Sequence, residues 1–197
     1  MTILNHKNKK IVNAMLSCRG FYRQCFMVFV MAIMMSTSWV CLADQKVNTD
    51  ELKAVYLFNF SAFVEWPQSS FSHTNQSFKY CIFGNSNIVY YLNDIVKNEV
   101  VNNREIQVID GFTYNKIKSC QILFVDASAE DKVINTLKLL KENSTLLVGE
   151  SLDFLDRGGM INLNHDYKRI EIEINLANAR KGNLRISSKL LRLAKLK

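Results

Sequence analysis

Groups that perform chemistry are scarce in this chain. Beyond residue 43 it holds two histidines, His73 and His165, and two cysteines, Cys81 and Cys120. No Cys-x-x-Cys or His-x-x-x-His spacing occurs, so the sequence gives no support to a metal site. Gly-x-Ser-x-Gly is missing. Gly84-Asn85-Ser86 has the position of a phosphate loop but lacks the further glycines and the lysine, so it reads as a plain turn. There is one proline, Pro67, and no low-complexity linker, internal repeat or second hydrophobic span. These absences argue against an enzyme and against a cofactor.

Acid is missing from the first 43 residues, which carry five bases (Lys7, Lys9, Lys10, Arg19, Arg23) and an apolar run from Cys25 to Val40. A basic start, an apolar middle and a small-residue exit at Cys41-Leu42-Ala43 form a secretory leader. The run of 16 residues is shorter than the ~20 that span a bilayer. Cleavage after Ala43 and a periplasmic location are therefore expected. A lipoprotein signal through Cys41 is disfavoured by Val40, and Met15 would begin a leader of more ordinary length. Without the leader 154 residues remain, 44–197, enough for a single domain. The net charge falls from +7 to +2, since five bases and no acids leave. The basic pI is largely a property of the leader and does not argue for nucleic-acid binding. Two cysteines in an oxidising compartment form one disulfide or stay as two buried thiols.

Asn48 and Thr49 before Asp50-Glu51 mark a helix start. Leu52, Val55, Tyr56, Phe60, Phe63 and Val64 follow at helical spacing, and Pro67 stops the helix near Trp66. Strands are predicted at Phe78–Phe83, Arg104–Ile109, Cys120–Val125 and Thr145–Val148, with helices over Ile88–Val96 and Glu130–Lys141 between them. Met160–Leu163 and Arg169–Ile174 alternate as a hairpin around a loop at Asn164–Lys168, with Gly158-Gly159 as a tight turn ahead of it. Helical material from Leu176 to Leu196 closes the chain. Alternating strands and helices imply an α/β fold: three layers, a mostly parallel sheet and an antiparallel hairpin at one edge. In a common doubly wound order the first and third strands are neighbours, which would set Cys81 beside Cys120.

Asp126 ends a buried strand, where it reads either as a helix N-cap or as a catalytic acid without a partner base. The C-terminal stretch carries Arg180, Lys181, Arg185, Lys189, Arg192, Lys195 and Lys197 and no acid after Glu173. It reads as an amphipathic last helix with a solvated basic face, or as a patch for an acidic partner or anionic lipid.

Val55-Tyr56-Leu57-Phe58-Asn59-Phe60 and Phe63-Val64-Glu65-Trp66-Pro67 resemble the opening signature of the YfiR family of periplasmic regulators. The likeness continues through Cys81-Ile82-Phe83-Gly84, Cys120-Gln121-Ile122-Leu123-Phe124, Gly158-Gly159-Met160-Ile161, Glu173-Ile174-Asn175 and Leu184-Arg185-Ile186-Ser187-Ser188-Lys189-Leu190-Leu191. It implies a non-enzymatic repressor that binds an inner-membrane diguanylate cyclase or related sensor, with release raising cyclic-di-GMP and favouring biofilm. It further implies a Cys81–Cys120 disulfide and a tendency to form a homodimer. Some members carry a second disulfide near the hairpin, where this chain has no cysteine. Asn59 and Glu65, polar positions within the motif, become candidate partner contacts, against helix capping and local salt bridges. The alternative function is a periplasmic small-molecule binding module with its ligand at the strand ends near Gly84 and Asp126.

Overall fold

The computed structural model describes residues 48–84, 87–111, 119–133, 144–166 and 169–197. The expected leader, Asn85 and Ser86 of the Gly84 turn, and most of the helix expected over Glu130–Lys141 lie outside these. Everything described belongs to one compact unit, Val47–Lys197.

The elements, in order, are α1 (Thr49–Phe63), β1 (Val64–Glu65), β2 (Phe78–Phe83), α2 (Ile88–Ile95), β3 (Val100–Val101), β4 (Arg104–Asp110), β5 (Ile122–Val125), β6 (Leu146–Gly149), β7 (Ile161–Asp166), β8 (Arg169–Ile174), α3 (Leu176–Lys181), β9 (Arg185–Ile186), α4 (Ser188–Leu191) and β10 (Lys195–Leu196). Eight strands form one sheet in the order β10-β8-β7-β6-β5-β2-β4-β3, and β1 pairs with β9 in a separate ribbon. The central pairs β4–β2, β2–β5, β5–β6 and β6–β7 are all parallel. Every residue of β5 and β6 is buried, as expected of strands covered on both faces. The expected α/β class, with helices packed on a mostly parallel sheet, is what the chain adopts.

Both edges end in two-residue strands, β3 and β10, which leave little backbone open to pairing with another chain. The β3–β4 hairpin was not predicted. Its loop is Asn102-Asn103, both at positive φ (51° and 62°), the conformation of a type I′ turn that asparagine tolerates. The predicted hairpin exists as β7–β8, but β10 adds outside it. Strand β7 also runs on through Asp166, because Asn164 pairs with Glu171 and His165 with Ile170. These residues were expected in a loop.

Two further expectations are corrected. Helix α1 ends at Phe63, not near Trp66. Val64 and Glu65 are drawn out of it by pairing with Ile186 and Arg185, reinforced by the Ser187 N–H donating to the Phe63 carbonyl at 2.8 Å. Pro67 excludes helix only at its own and the preceding residue; the ribbon accounts for the rest. The C-terminal stretch is not one helix. It is two short helices, α3 and α4, separated and followed by strands β9 and β10. The backbone from Asn175 onward is held piece by piece, with Asn175 N–H on the Met160 carbonyl and Lys197 N–H on that of Ile174.

The buried face of α1 is also rotated from the predicted stripe. Lys53, Ala54, Leu57, Phe60 and Ser61 are buried, while Val55 is 37% exposed. A buried lysine on the core face is what the hydrophobic pattern could not anticipate, and its partner lies across the sheet.

Candidate functional site

Helix α1 connects the two ends of the parallel sheet, and each end carries a polar group. At the carboxyl ends of the strands, β2 is followed by Gly84, β5 by Asp126 and β6 by Glu150. Lys53, from the first turns of α1, forms a short ion pair with Glu150, and their side chains are only 11% and 13% exposed. Asp50 stands 3.9 Å from the same ammonium. The other oxygen of Glu150 accepts the Ala127 N–H at 3.1 Å. Asp126 accepts from both the backbone N–H and the hydroxyl of Ser128, at 2.8 and 2.5 Å. It is therefore the N-cap of the short turn Ala127–Ala129, and the capping reading holds. Gly84 has φ +130°, and a Cβ there would stand 2.2 Å from the Cβ of Asp126, so the strand ends meet backbone to side chain. Thr49 and His165 meet at 3.2 Å nearby.

Beside this group, Arg157 joins Asp131 at 2.8 Å and Asp153 at 2.7 Å, and lies 3.7 Å from the buried Glu130. The hydrogen bond that Arg157 donates to Asp131, with the nearby carboxylates, raises the Arg157 pKa above its ordinary value. The loop between β6 and β7 is packed around Phe154. A Cβ at Gly149 would stand 2.5 Å from that ring and one at Gly159 2.1 Å. Gly158, at φ +112°, supplies the turn; Gly159 instead makes room for Phe154. Asn178 closes the loop by donating to the carbonyls of Leu155 and Gly159.

At the opposite end, Gln121 is the hub. Its side chain accepts from the Lys79 N–H at 2.8 Å and donates to the Ser70 carbonyl at 3.0 Å. Its carbonyl takes the Trp66 indole N–H at 3.1 Å. Trp66 meets Phe78 edge to face, with centroids 5.0 Å apart. Arg104 donates to the carbonyls of His73, Thr74 and Gln76 and lies over the Phe71 ring at 3.9 Å, so it clamps the loop after α1. Gln121 lies in a predicted strand that is otherwise apolar, and nothing in the local pattern singles out Arg104. A lone amide inside an otherwise apolar strand was the available signal for a buried hydrogen-bond centre.

Cys81 and Cys120 are joined by a disulfide with a Cα–Cα distance of 6.0 Å. Strands β2 and β5 are parallel neighbours, and Cys120 lies just ahead of β5. Both cysteines are 2% exposed. Asn59 and Glu65 are not brought together with the buried polar groups. Asn59 lies on the exposed face of α1, in a stripe with Val55 and Ala62. Glu65 is exposed on β1, 3.6 Å from the equally exposed Arg185. Tyr80 is fully buried, with its hydroxyl donating to the Phe58 carbonyl at 3.3 Å. Burial pushes its phenol well above the usual tyrosine range. Among the described residues no group of three or more His, Cys, Asp or Glu could hold a metal ion. No helix among them is long and apolar enough to cross a membrane.

The chain is a disulfide-tied α/β domain built on a mostly parallel sheet. The chain matches the YfiR/HmsC-like family over residues 50–195, and it belongs to that family. The family is regulatory, periplasmic and in general non-catalytic. No curated protein matches the chain. Among solved structures it is similar to a conserved domain protein from Vibrio cholerae O1 biovar El Tor, at 13% identity and a TM-score of 0.51. That likeness, which concerns the fold alone, covers 76% of this chain and 60% of the other.

Proposed function

We propose that this protein is an exported, non-enzymatic regulator that binds the periplasmic part of an inner-membrane diguanylate cyclase or related sensor and restrains it. The observation that carries the reading is the family match across residues 50–195. A regulator of this kind needs differential affinity for one state of its target and no chemistry of its own.

The exposed face of α1 is the surface we assign to the partner. Val55, Asn59 and Ala62 form a stripe of small and uncharged side chains, and Glu65 continues it onto β1. The Glu65–Arg185 pair is exposed on both sides, so it contributes little to folding and can be exchanged for a cation of the partner. A small-molecule module at the carboxyl ends of the strands has one observation in its favour, because Gly84, Asp126, Glu150 and Lys53 do converge there. Against it, Asp126 is engaged by Ser128, and Lys53 and Glu150 by each other.

The test is cellular cyclic-di-GMP in a deletion strain, complemented with the exported wild type, a leaderless form, and Val55→Glu/Asn59→Arg. Deletion should raise the nucleotide pool and surface attachment, and only the exported wild type should restore both. An unchanged pool in the deletion strain, with no cyclase recovered by crosslinking, would sink the reading. Restoration by the α1 variant would move the contact to another face.

A further inference from the structure

The C-terminal stretch loses its predicted helix but keeps its charge, and only part of that charge is paired. The last 24 residues contain no acid. Arg185 pairs with Glu65, Lys195 with Glu173 and Lys197 with Asp156. Arg180, Lys181, Lys189 and Arg192 are exposed and make no ion pair among the described residues. Leu193, 74% exposed, follows Arg192 directly, and Leu196, 55% exposed, lies between Lys195 and Lys197. Arg185 pairs with Glu65 of β1, and Lys195 and Leu196 lie beside Glu173 and Ile174 of β8, so the stretch runs from the β1–β9 ribbon to the edge of the sheet.

We propose that the C-terminal stretch docks on the surface of an anionic phospholipid bilayer. Four free cations would lie against phosphate head groups while Leu193 and Leu196 enter the head-group boundary. The leucines decide between a lipid and an acidic polypeptide. Cations alone would serve either partner, but two large exposed apolar side chains within a basic stretch gain free energy only where an apolar layer lies beneath the charge. Such docking holds the domain against the membrane through residues other than those of the exposed α1 stripe. It therefore does not depend on the cyclase reading.

The experiment is co-sedimentation with vesicles, using protein purified in the form the cell accumulates, with the same N-terminus in every variant. Wild type should partition onto phosphatidylglycerol/phosphatidylethanolamine vesicles and far less onto phosphatidylcholine vesicles. Added salt should weaken the binding. The variant Arg180→Gln/Lys181→Gln/Lys189→Gln/Arg192→Gln should lose on the order of 10²–10³-fold, at roughly a factor of five for each cation. Leu193→Ser should lose about tenfold. Both variants alter exposed side chains, so an unshifted melting midpoint will certify their fold. Equal binding to both vesicle types, or wild-type binding by the four-cation variant, overturns the proposal. Binding to poly-glutamate without binding to phosphatidylglycerol vesicles also overturns it, in favour of an acidic protein partner.

Discussion

Gly159 shows how a single residue type is imposed by packing. A methyl group at this position would sit 2.1 Å from the ring of Phe154, which is itself fully buried. Gly159→Ala must displace that ring or the backbone, and should destabilise the domain by about 1–3 kcal/mol, the usual range for overpacking. Urea denaturation measures it, and an unchanged midpoint would mean that Phe154 has somewhere else to go. Lys53 presents the electrostatic counterpart. Replacing it with Met removes the cation beside Glu150 and leaves a largely buried carboxylate. The loss should lie toward the low end of about 3–5 kcal/mol, since the pair keeps slight contact with water. The double variant Lys53→Met/Glu150→Gln should recover part of it, and failure to do so would show that the pair is not the source of the loss. Phe60, predicted as core, is 1% exposed, so Phe60→Ala should cost about 3–5 kcal/mol, read as a lowered melting midpoint.

At the scale of elements, the parallel order of the central strands makes the disulfide possible. Cys81 lies in β2 and Cys120 just ahead of β5, 39 residues later in the chain. Parallel strands that are neighbours in space are separated in sequence by a crossover, so the bond closes a long loop and removes entropy from the unfolded chain. Replacing either cysteine should lower stability by about 2–5 kcal/mol. Reduction should add about two hydrogens to the intact mass; two freely alkylated thiols in native protein would rule the bond out of the cellular form. Helix α1 is fixed at both ends, by the Lys53–Glu150 pair at its start and by the β1–β9 ribbon at its finish. Both anchors come from chain more than 80 residues downstream, which is why its boundary and buried face differ from the local pattern. The Asn48 side chain accepts the Asp50 N–H at 3.0 Å, so the start of this helix follows the local signal.

The whole molecule gathers Lys53, Glu150 and Asp126 at the carboxyl termini of the strands and carries cations that make no ion pair among the described residues on its C-terminal stretch. Its proposed placement in the cell rests on the expected leader. N-terminal sequencing of periplasmic protein should begin at Asp44, and intact leader in the membrane fraction would contradict cleavage after Ala43. The proposed partner face of α1 and the basic C-terminal stretch can be tested separately, because Val55 and Asn59 are not among the cations of that stretch.

The sequence by itself determined the class of fold. Unbroken apolar runs such as Ile122–Val125 require burial on both faces, and buried strands alternating with helices leave few solutions besides a parallel sheet. It also located the start of α1, the core position of Phe60 and the capping role open to Asp126, since each rests on local chemistry. Its motifs carried the family and the cysteine pairing. Tertiary structure decided what depends on residues distant in the chain. Val64 and Glu65 leave the helix because Arg185 and Ile186 arrive beside them. Lys53 faces inward because Glu150 ends β6 across the sheet. The last basic stretch breaks into short pieces because the sheet edge and the β1 ribbon each capture part of it. Periodicity records how one segment can bury its own apolar side chains; it holds no information about which backbone groups or charges another segment will bring to meet them.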